Sequence, residues 1–469
     1  MYLFIHRKDL RTNDLRAFDY LRSKDTPGIH LLIIDPALTK HERLNSHSGR
    51  NFSRQAASLL HAYALAGKEL HVLYGDPAVI TEELLQAHPV DEVVVHSDYS
   101  PYSRSRDERL QKTVRLLGRR WTSLLDAPLA DLGALQDYAR RSEPYKVFTP
   151  FYRMWSGFMN ECYSPMGEAS IRDLTTVREL SAKLAARFAL PESVADSLGG
   201  TTELSGADQS ADKTLERFVR ERLDAYKHSR DSFSEDHTSG LARFLNTGAL
   251  SVRQAYEMTQ GLPGAEAWHR QLAWRDFYLY QSIYNNDFFR YEELTDLSPL
   301  SDAHFEAWAA GATGIPIIDA AMTQLNRTGR LPNRLRMVTA MFLTKNLLCP
   351  FTLGEQHFRL HLSDYHNVLN RGGWLWCSSL GFDAAPYFRI MNPVTQSLTH
   401  DPSGDYIRRW LPHLAHLSDR EIHQPLGNAI VDLKASRARA IDVYKGILYP
   451  PHISASIGCL PPAPKLLTR

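Results

Sequence analysis

Short apolar runs alternate with longer amphipathic stretches through the first part of the chain. The apolar runs have a β-type composition and are Tyr2–His6, Ile29–Ile34, Leu70–Tyr74, Glu92–His96 and Trp121–Leu125. Between them, helical periodicity runs through Asn51–Gly67, Val79–Ala87 and Ser105–Leu117. Because short apolar strands that alternate with helices form parallel sheets covered on both faces, we predict a doubly wound α/β domain over residues 1–130.

After this domain the pattern loosens and then becomes helical. We interpret residues 131–212 as a connector, because the small and polar stretch Leu198–Asp212 is typical of an exposed loop. Beyond it only helical stretches are found, namely Lys213–Lys227, Trp268–Tyr284, Ile315–Leu325 and Arg336–Leu348. Residues 213–469 are therefore predicted to form an all-α domain. No GxGxxG pattern follows the first strand, so a dinucleotide site of that type is not expected there.

Composition excludes several classes of protein. The 469 residues carry a formal net charge of only +1, so any face that binds an anion has to be a local patch. The cysteines, Cys162, Cys349, Cys377 and Cys459, have no CxxC spacing, and we predict neither a metal site nor a disulfide framework. The N-terminus lacks the apolar core of a signal peptide, and no stretch is apolar enough to span a bilayer. We expect a cytoplasmic protein that does not contact the membrane.

The densest chemistry lies in the segment Asn370–Pro393, which combines glycine, aromatic and arginine residues. Gly372 and Gly373 let the backbone approach something flat or bulky, because neither carries a Cβ. Trp374 and Trp376 would share one face of an extended segment but would diverge on a helix. A single buried aromatic ring usually belongs to a core, but the whole string, with Asn370 and Arg389 within it, indicates a functional site.

Two weaker patterns concern phosphate groups. Residues 320–354 contain no Asp or Glu but five cations, which favours a phosphate-facing surface over a solvated helix face. These cations are Arg327, Arg330, Arg334, Arg336 and Lys345. The stretch His237–Leu241 places hydroxyl groups beside a glycine and is consistent either with a plain helix cap or with a phosphate cradle.

The stretch Trp268–Phe277 is also open to two interpretations. On a helix, Gln271 and Arg275 lie one turn apart, with Trp268 and Trp274 close by. Such a face suits stacking on a base or on a flavin ring, but it equally suits a helix that is packed by its tryptophans.

Taken together, these residues resemble one family, the photolyase/cryptochrome flavoproteins. The resemblance is carried by RKDLRTNDLRAF, YKVFTPFYRMW, TSGLARFLNTGALS, LAWRDFY, TGIPIIDAAMTQL, NRLRM and the segment Asn370–Pro393. It is strongest to bacterial cyclobutane pyrimidine dimer (CPD) photolyases. It implies FAD as cofactor, UV-damaged DNA as partner, a monomer, and blue-light-driven electron transfer from reduced FAD to the dimer. The alternative is a cryptochrome-like photoreceptor or a repair-deficient DNA-binding flavoprotein.

The resemblance also implies roles for individual residues. The positions that match FAD-binding residues are Tyr226, Thr238, Ser239, Gly240, Leu241, Ala242, Trp268, Arg336, Asp364, His366 and Asn370. Those that match the catalytic, lesion-contacting positions are Gln271, Trp274, Asn333, Met337 and Trp376. The expected DNA contacts are Arg230, Arg275, Arg334, Arg389 and Gln396, and Trp374 begins the electron-transfer chain.

The chain departs from the family pattern at several of these positions. Gln271 stands where a glutamate is usual, and a glutamine keeps a donor and an acceptor but cannot deliver a proton. His366 replaces a second acid, and Phe351 and Ser298 replace the tryptophans that continue the chain from Trp374. Ser103 replaces a glutamate of folate-binding members. A deazaflavin or a flavin is therefore expected rather than folate, if a second antenna chromophore is bound at all.

Overall fold

The computed structural model describes residues 1–40, 43–199 and 210–449. The chain divides into two compact units. Unit 1 comprises Met1–Phe289, Thr323–Arg334 and Glu355–Gly372, and unit 2 comprises Arg290–Met322, Leu335–Gly354 and Gly373–Arg469. The boundaries at residues 130 and 212 stay a prediction, and residues 200–209 of the expected connector lie outside the described residues. Within the described ranges, no helix combines the length and the apolarity needed to cross a membrane.

Unit 1 contains the parallel sheet that the sequence predicts. Its five strands are β1 (Tyr2–His6), β2 (Gly28–Ile34), β3 (His71–Tyr74), β4 (Glu92–His96) and β5 (Arg120–Leu124). They are arranged in the order β3-β2-β1-β4-β5, and every neighbouring pair is parallel. All five lie at or within one residue of the predicted runs, because each run is short, apolar and bounded by turn residues.

Alternate residues of β1 enter two different cores. Tyr2 and Phe4 pack with Phe18 on one face of the sheet, whereas Leu3 and Ile5 pack with Leu84 on the other. Successive strand side chains point to opposite faces, so a sheet that is buried on both faces reads as a continuous apolar run. The doubly wound α/β fold class is confirmed, together with the helical character of the later chain.

The helices of the first half lie between and after the strands. They are α1 (Arg16–Arg22), α2 (Pro36–Thr39), α3 (His47–Leu65), α4 (Pro77–Ala87), α5 (Pro101–Leu116), α6 (Leu132–Ala139), α7 (Phe148–Cys162), α8 (Ala182–Arg187), α9 (Glu192–Gly199), α10 (Ala211–Glu221), α11 (Tyr226–Ser229), α12 (Ala242–Leu245), α13 (Val252–Glu257) and α14 (Ala265–Tyr284).

The later helices follow one another without an intervening strand in the described residues. They are α15 (Tyr291–Leu294), α16 (Phe305–Ala310), α17 (Pro316–Thr328), α18 (Asn333–Met341), α19 (Phe351–His361), α20 (Asn367–Cys377), α21 (Pro393–His400), α22 (Asp405–Trp410) and α23 (Leu433–Leu448). A π-helical turn, Phe342–Asn346, directly follows α18 and completes the helical stretch that was predicted from Arg336 to Leu348.

A chain of buried polar side chains lies within unit 1. The Tyr63 hydroxyl is 2.7 Å from Nε2 of His6 and 2.7 Å from Nδ1 of His30. His6 also contacts the Asp9 carboxylate at 3.0 Å, and the second oxygen of Asp9 contacts His96. Burial holds the pKa of His30 well below its usual range, so this imidazole is neutral. The chain shows how histidines can lie inside apparently apolar strands, since each polar atom finds a partner.

Candidate functional site

Helix α14 carries four of the predicted site residues. It begins after Gly264, whose φ of +78° and close approach to the Leu223 carbonyl leave no room for a Cβ. Gln271 is half-buried, and its Nε2 donates to the Ala267 carbonyl at 3.3 Å, which leaves the side-chain carbonyl available to a ligand. Arg275, one turn later, is buried and donates to the Ala127 carbonyl. Its burial does not support the DNA contact that we predicted for it.

Trp274 is half-buried and lies in an aromatic stack. Its ring is parallel to that of Phe148, with the centroids 3.7 Å apart and an interplanar angle of 8°. Phe148 in turn stacks on Tyr152, and the guanidinium of Arg270 lies over both of these rings. One face of Trp274 is therefore covered by Phe148, which fixes the orientation of the indole that the resemblance assigns to the lesion.

Trp268 lies one and a half turns earlier, in a second aromatic cluster. It is perpendicular to Tyr226 at 5.8 Å between centroids, and it contacts Phe218 at 5.0 Å. Its Nε1 is buried and makes no hydrogen bond within the part of the chain that the structure describes. Because a buried N–H without a partner is costly, this donor is suited to a polar ligand atom. Tyr226, which contacts Trp268, is also covered by Arg230, whose guanidinium lies 5.7 Å from the centre of the tyrosine ring.

The segment that precedes α12 combines hydroxyl groups with an open glycine. Gly240 has φ +66°, and the atom nearest to a Cβ placed there would be Cγ2 of Thr214 at 3.9 Å. The Thr238 hydroxyl donates to Asp236 at 2.6 Å, and Ser239 accepts from the backbone N–H of Leu241 at 3.3 Å. Leu241 occupies the cap position of α12 and provides no side-chain cap. The hydroxyls thus form local turns instead of the plain helix cap, and their proposed phosphate role stays a prediction.

The predicted flavin residues near α20 differ in their surroundings. His366 is buried, and its Nδ1 makes no hydrogen bond in the described structure. Burial, followed by the charges of Lys8 and Arg275, holds its pKa well below the usual range, so the imidazole is neutral. Asp364 accepts a hydrogen bond from Asn246 through its backbone carbonyl, and the Asn370 amide donates to the Glu355 carbonyl at 3.1 Å.

These observations fit FAD as the cofactor on the side of unit 1. A large planar heterocycle with a diphosphate offers acceptors for a buried indole N–H and a donor or acceptor for a neutral imidazole nitrogen. Trp268 and His366 both have such an atom without a partner among the described residues. Lys8 and Asp98, whose charges act on His366, were missed by the sequence reasoning because they come from loops far along the chain.

Unit 2 contains the remaining aromatic positions. Helix α20 makes Trp374 and Trp376 diverge: Trp374 is buried, whereas Trp376 is half-buried. Trp374 lies at the edge of Trp308, with the centroids 6.1 Å apart, and a Cβ at Gly354 would lie 2.1 Å from Cη2 of Trp374. Of the two alternatives, a shared face in an extended segment or divergence on a helix, divergence on a helix is therefore the correct one for these tryptophans.

The two glycines before Trp374 are not equivalent. A Cβ at Gly372 would lie 2.2 Å from Cδ1 of Tyr278, whereas a Cβ at Gly373 would have nothing within 4 Å. The expected close approach of a flat group is therefore found at Gly372, and that group is the ring of Tyr278 in the same chain. At Gly373 the space is open, so close approach of a flat or bulky group stays a prediction there.

The basic residues of the acid-free stretch do not share one surface. Lys345 is completely buried, and its amine donates to the Ser378 carbonyl and the Ser379 hydroxyl. Its assignment to a phosphate-facing surface is wrong, since the lysine instead holds the backbone that follows α20. Arg334 pairs with Asp231 at 2.6 Å. Arg327 and Arg330 are exposed.

The other predicted DNA and lesion contacts lie at or near the surface of their own unit. Asn333 and Arg389 are exposed, and Met337 and Gln396 are partly buried, as is Arg336, which was predicted to bind the cofactor. The side-chain carbonyl of Gln396 is buried without a hydrogen bond in the described residues. This acceptor is suited to a donor on a ligand, which is consistent with, but does not test, its predicted contact.

Comparisons with protein families agree with this arrangement. Residues 2–168 match the family model of DNA photolyase, and residues 268–455 match that of the FAD binding domain of DNA photolyase. The chain is 32% identical to the deoxyribodipyrimidine photo-lyase of Vibrio cholerae, covering 94% of this chain and 96% of that protein. It is also 32% identical to the deoxyribodipyrimidine photo-lyase of Escherichia coli K12, covering 90% and 91%.

Solved structures are similar along nearly the whole chain. A bacterial class III photolyase from Agrobacterium tumefaciens is 28% identical, with a TM-score of 0.81 and coverage of 95% of this chain and 97% of that one. An archaeal photolyase from Sulfolobus tokodaii, solved with two FAD molecules, is 27% identical, with a TM-score of 0.79 and coverage of 95% and 99%. A Synechocystis cryptochrome has a TM-score of 0.81 and coverage of 94% and 99%, but at 23% identity it is evidence for the fold alone.

Proposed function

The chain belongs to the DNA photolyase family, and from this membership we propose that it repairs cyclobutane pyrimidine dimers in UV-damaged DNA under blue light. The enzyme is a carbon–carbon lyase that uses FAD. The observation that carries the proposal is the buried indole N–H of Trp268, which makes no hydrogen bond within the described residues. It lies on the same helix as the half-buried Gln271 and Trp274. One helix thereby offers a donor to a cofactor and a polar and aromatic surface to a substrate.

Bound in its reduced state, FAD supplies photoexcited electron donation to the dimer and accepts the electron back after ring splitting. The residues of the chain bind the cofactor and orient it. Trp268 and Tyr226 hold the cofactor by ring contact and by the indole N–H, and residues 238–242 are assigned to its phosphates. His366 presents a neutral nitrogen, so it adds no positive charge beside a reduced flavin. We assign Arg336, Asp364 and Asn370 to the same cofactor.

The substrate contacts follow from the half-buried and exposed groups. Trp274, which is fixed on one face by Phe148, offers its other face to the dimer. Gln271 offers an amide to the pyrimidine carbonyls, and Asn333, Met337 and Trp376 are proposed to contact the lesion as well. A base that leaves the duplex has to be held in a pocket by such stacking and hydrogen-bonding groups.

Among the proposed DNA contacts, the solvent-facing cations have the best case. Arg389 is exposed, and Arg230 is partly exposed above Tyr226. Neither guanidinium makes an ion pair with an acid of the described residues. Both can therefore neutralise phosphate charge without giving up a carboxylate partner. Arg334 has to share its guanidinium with Asp231. Arg275 is the weakest of the assignments because it is buried.

A second chromophore is proposed to be a flavin or a deazaflavin rather than folate, because Ser103 replaces the glutamate of folate-binding relatives. The archaeal structure with two FAD molecules is an example of a similar protein with a second flavin. The monomeric state and the cytoplasmic location stay predictions.

A repair assay on the reduced, FAD-loaded protein tests the proposal. DNA that contains dimers is illuminated with blue light, and the remaining dimers are counted by chromatography against a dark control. We expect loss of dimers in the light only. Trp376→Ala should lower the affinity for damaged DNA with FAD absorbance retained, whereas Leu398→Ala, a change at an exposed side chain in α21, serves as the matched control.

One result would contradict the proposal, and a second would contradict only the lesion contact that is assigned to Trp376. Persistence of the dimers with reduced FAD bound would make the protein a photoreceptor or a repair-silent relative. Loss of the folded protein in Trp376→Ala would show that this ring belongs to a core, so the repair result with the unaltered protein would then decide alone.

A further inference from the structure

A pocket in unit 1 collects arginines from separate parts of the chain. Its lining includes Arg50 and Arg54 of α3, Arg243 of α12, and Arg327 and Arg330 at and after the end of α17. We call it the arginine pocket. The cavity measures about 370 Å³, and the described residues that line it include no Asp or Glu. None of these residues is among those assigned above to FAD, to the lesion or to DNA.

The backbone around the pocket is held in place by hydrogen bonds between distant segments. His47 Nε2 contacts the Asn326 carbonyl at 3.2 Å, and Asn51 donates to the Arg243 carbonyl at 3.1 Å. The Ser363 backbone N–H donates to the Gly329 carbonyl at 2.8 Å. These bonds connect all the segments that line the cavity, so the arginines are brought together by the fold and not by a mobile tail.

Gly329 makes this convergence possible. It has φ +68°, and a Cβ there would lie 2.5 Å from the Cβ and Cγ atoms of His47. Any other residue would therefore separate the end of α17 from the start of α3 and strain the backbone as well. The glycine brings Arg327 and Arg330 to the same cavity as Arg50 and Arg54.

Four of the guanidinium groups make no ion pair with an acid of the described residues. Among the described residues, Arg54, Arg327 and Arg330 make no ion pair, and Arg50 contacts only Nδ1 of His47, at 3.3 Å. Cations in protein interiors and clefts are usually paired with acids, because clustered like charges repel one another. A local positive field on a chain of net charge +1 indicates a ligand that brings the missing negative charge.

The chemistry of the lining selects phosphate. A guanidinium matches two oxygens of a phosphate at once, and several guanidiniums can share a group that carries more than one charge. A volume of about 370 Å³ lies within the range of small-molecule sites and holds more than a single phosphate. The hydroxyls of Thr328 and Ser363 in the lining add neutral hydrogen-bonding groups that a sugar or a ring can use.

We propose that the arginine pocket binds a small ligand with at least two linked phosphate groups, at a site separate from the lesion and from the DNA backbone. The lining converges from α3, α12, the end of α17 and Ser363 on one cavity, whereas a duplex would need a continuous positive face along its phosphates. The ligand adds a binding function to the enzyme and is independent of the repair chemistry.

Inorganic pyrophosphate serves as the probe, measured by isothermal titration calorimetry on the FAD-loaded protein. The test variant is Arg327→Gln combined with Arg330→Gln; both side chains are exposed, so the fold should not depend on them. The control is Arg437→Gln combined with Arg439→Gln, which removes the same charge from exposed positions of α23. We expect binding by the unaltered protein and the control, and at least tenfold weaker binding by the test variant.

Competition with DNA completes the test. Pyrophosphate binding that is unchanged in the presence of a saturating undamaged duplex supports the proposal. The proposal is overturned if the unaltered protein does not bind the probe, if test and control variants bind it equally, or if the duplex displaces it. If the double variant loses FAD or its circular dichroism spectrum, the single variants and the duplex competition on the unaltered protein give the same decision.

Discussion

Lys345 lies in the interior of unit 2 with no carboxylate partner among the described residues. Its amine donates to the Ser378 carbonyl at 3.1 Å and to the Ser379 hydroxyl at 2.9 Å, and it lies 3.1 Å from the centre of the Tyr444 ring. Burial lowers the pKa of Lys345 to about 6. The same burial raises the pKa of the neighbouring Cys377 thiol to about 12, so no thiolate compensates the charge. The folded protein therefore holds a neutral amine at pH 7.

This neutral amine makes stability depend on pH with a known sign. The unfolded lysine has a pKa of about 10.4, so between pH 6 and pH 10 the unfolded chain binds one proton more than the folded chain. The free energy of unfolding then rises with pH by up to about 1.4 kcal/mol per unit from this residue. Between pH 6.5 and pH 8.5 the two pKa values give a rise of roughly 2–3 kcal/mol.

Lys345→Met removes the titrating group and keeps a long, flexible side chain. At pH 7 the variant no longer bears the cost of deprotonation, about 4–5 kcal/mol, but it loses two hydrogen bonds worth about 1 kcal/mol each. We expect Lys345→Met to be more stable than the unaltered protein at pH 6.5, and this advantage to shrink by roughly 2–3 kcal/mol by pH 8.5.

Urea unfolding of both proteins at pH 6.5, 7.5 and 8.5, followed by circular dichroism, measures the difference. Lys434→Met, at an exposed lysine of α23, is the control and should show no change of its stability difference with pH. A constant difference between Lys345→Met and the unaltered protein across this range would mean that the buried amine is charged in the fold. The reasoning from burial would then be refuted.

Three further predictions concern other sites. Arg253→Met should lower the free energy of unfolding by about 3–5 kcal/mol in urea titrations, because the buried carboxylates of Asp14 and Asp126 lose the guanidinium that pairs with both. Gly372→Ala should lower it by about 1–3 kcal/mol through collision with Tyr278, whereas Gly373→Ala should be neutral or stabilising by up to about 1 kcal/mol; equal effects would contradict the contact argument. Gln271→Glu should raise the yield of dimers repaired per absorbed photon with less than a threefold change in affinity for damaged DNA, because a carboxyl group can deliver a proton and an amide cannot; an unchanged yield would contradict this reason.

The local pattern of apolar residues was sufficient to predict the strands of the sheet. The strands β1 and β4 were predicted at their observed bounds, because five consecutive residues that are buried on both faces leave an unambiguous apolar run. Helix α14 was likewise predicted, and only its first residues differ, since the helix begins at Ala265 and not at Trp268. Helix ends depend on caps and on neighbouring chain, here Gly264 against Leu223, and are less well determined by periodicity.

The side-chain environments could not be predicted in this way. Lys345 and Arg327 occur in the same acid-free stretch and look alike in sequence, but one is buried and the other is exposed. Arg275 was placed near DNA from its helical spacing, yet it donates into the interior, to Ala127. Spacing along a helix fixes which residues share a face but not what that face packs against.

The sequence by itself determined the positions of the five strands, the class of the fold and the family, because these depend on periodicity and on contiguous motifs. Only the tertiary structure decided which cations are neutralised, which polar atoms lack a partner and where a pocket forms. His47 and Asn326 come into contact although 279 positions separate them, and this contact joins two of the segments that line the arginine pocket. Electrostatic energies depend on distance in space and on burial, and neither quantity is encoded in the spacing of residues along the chain.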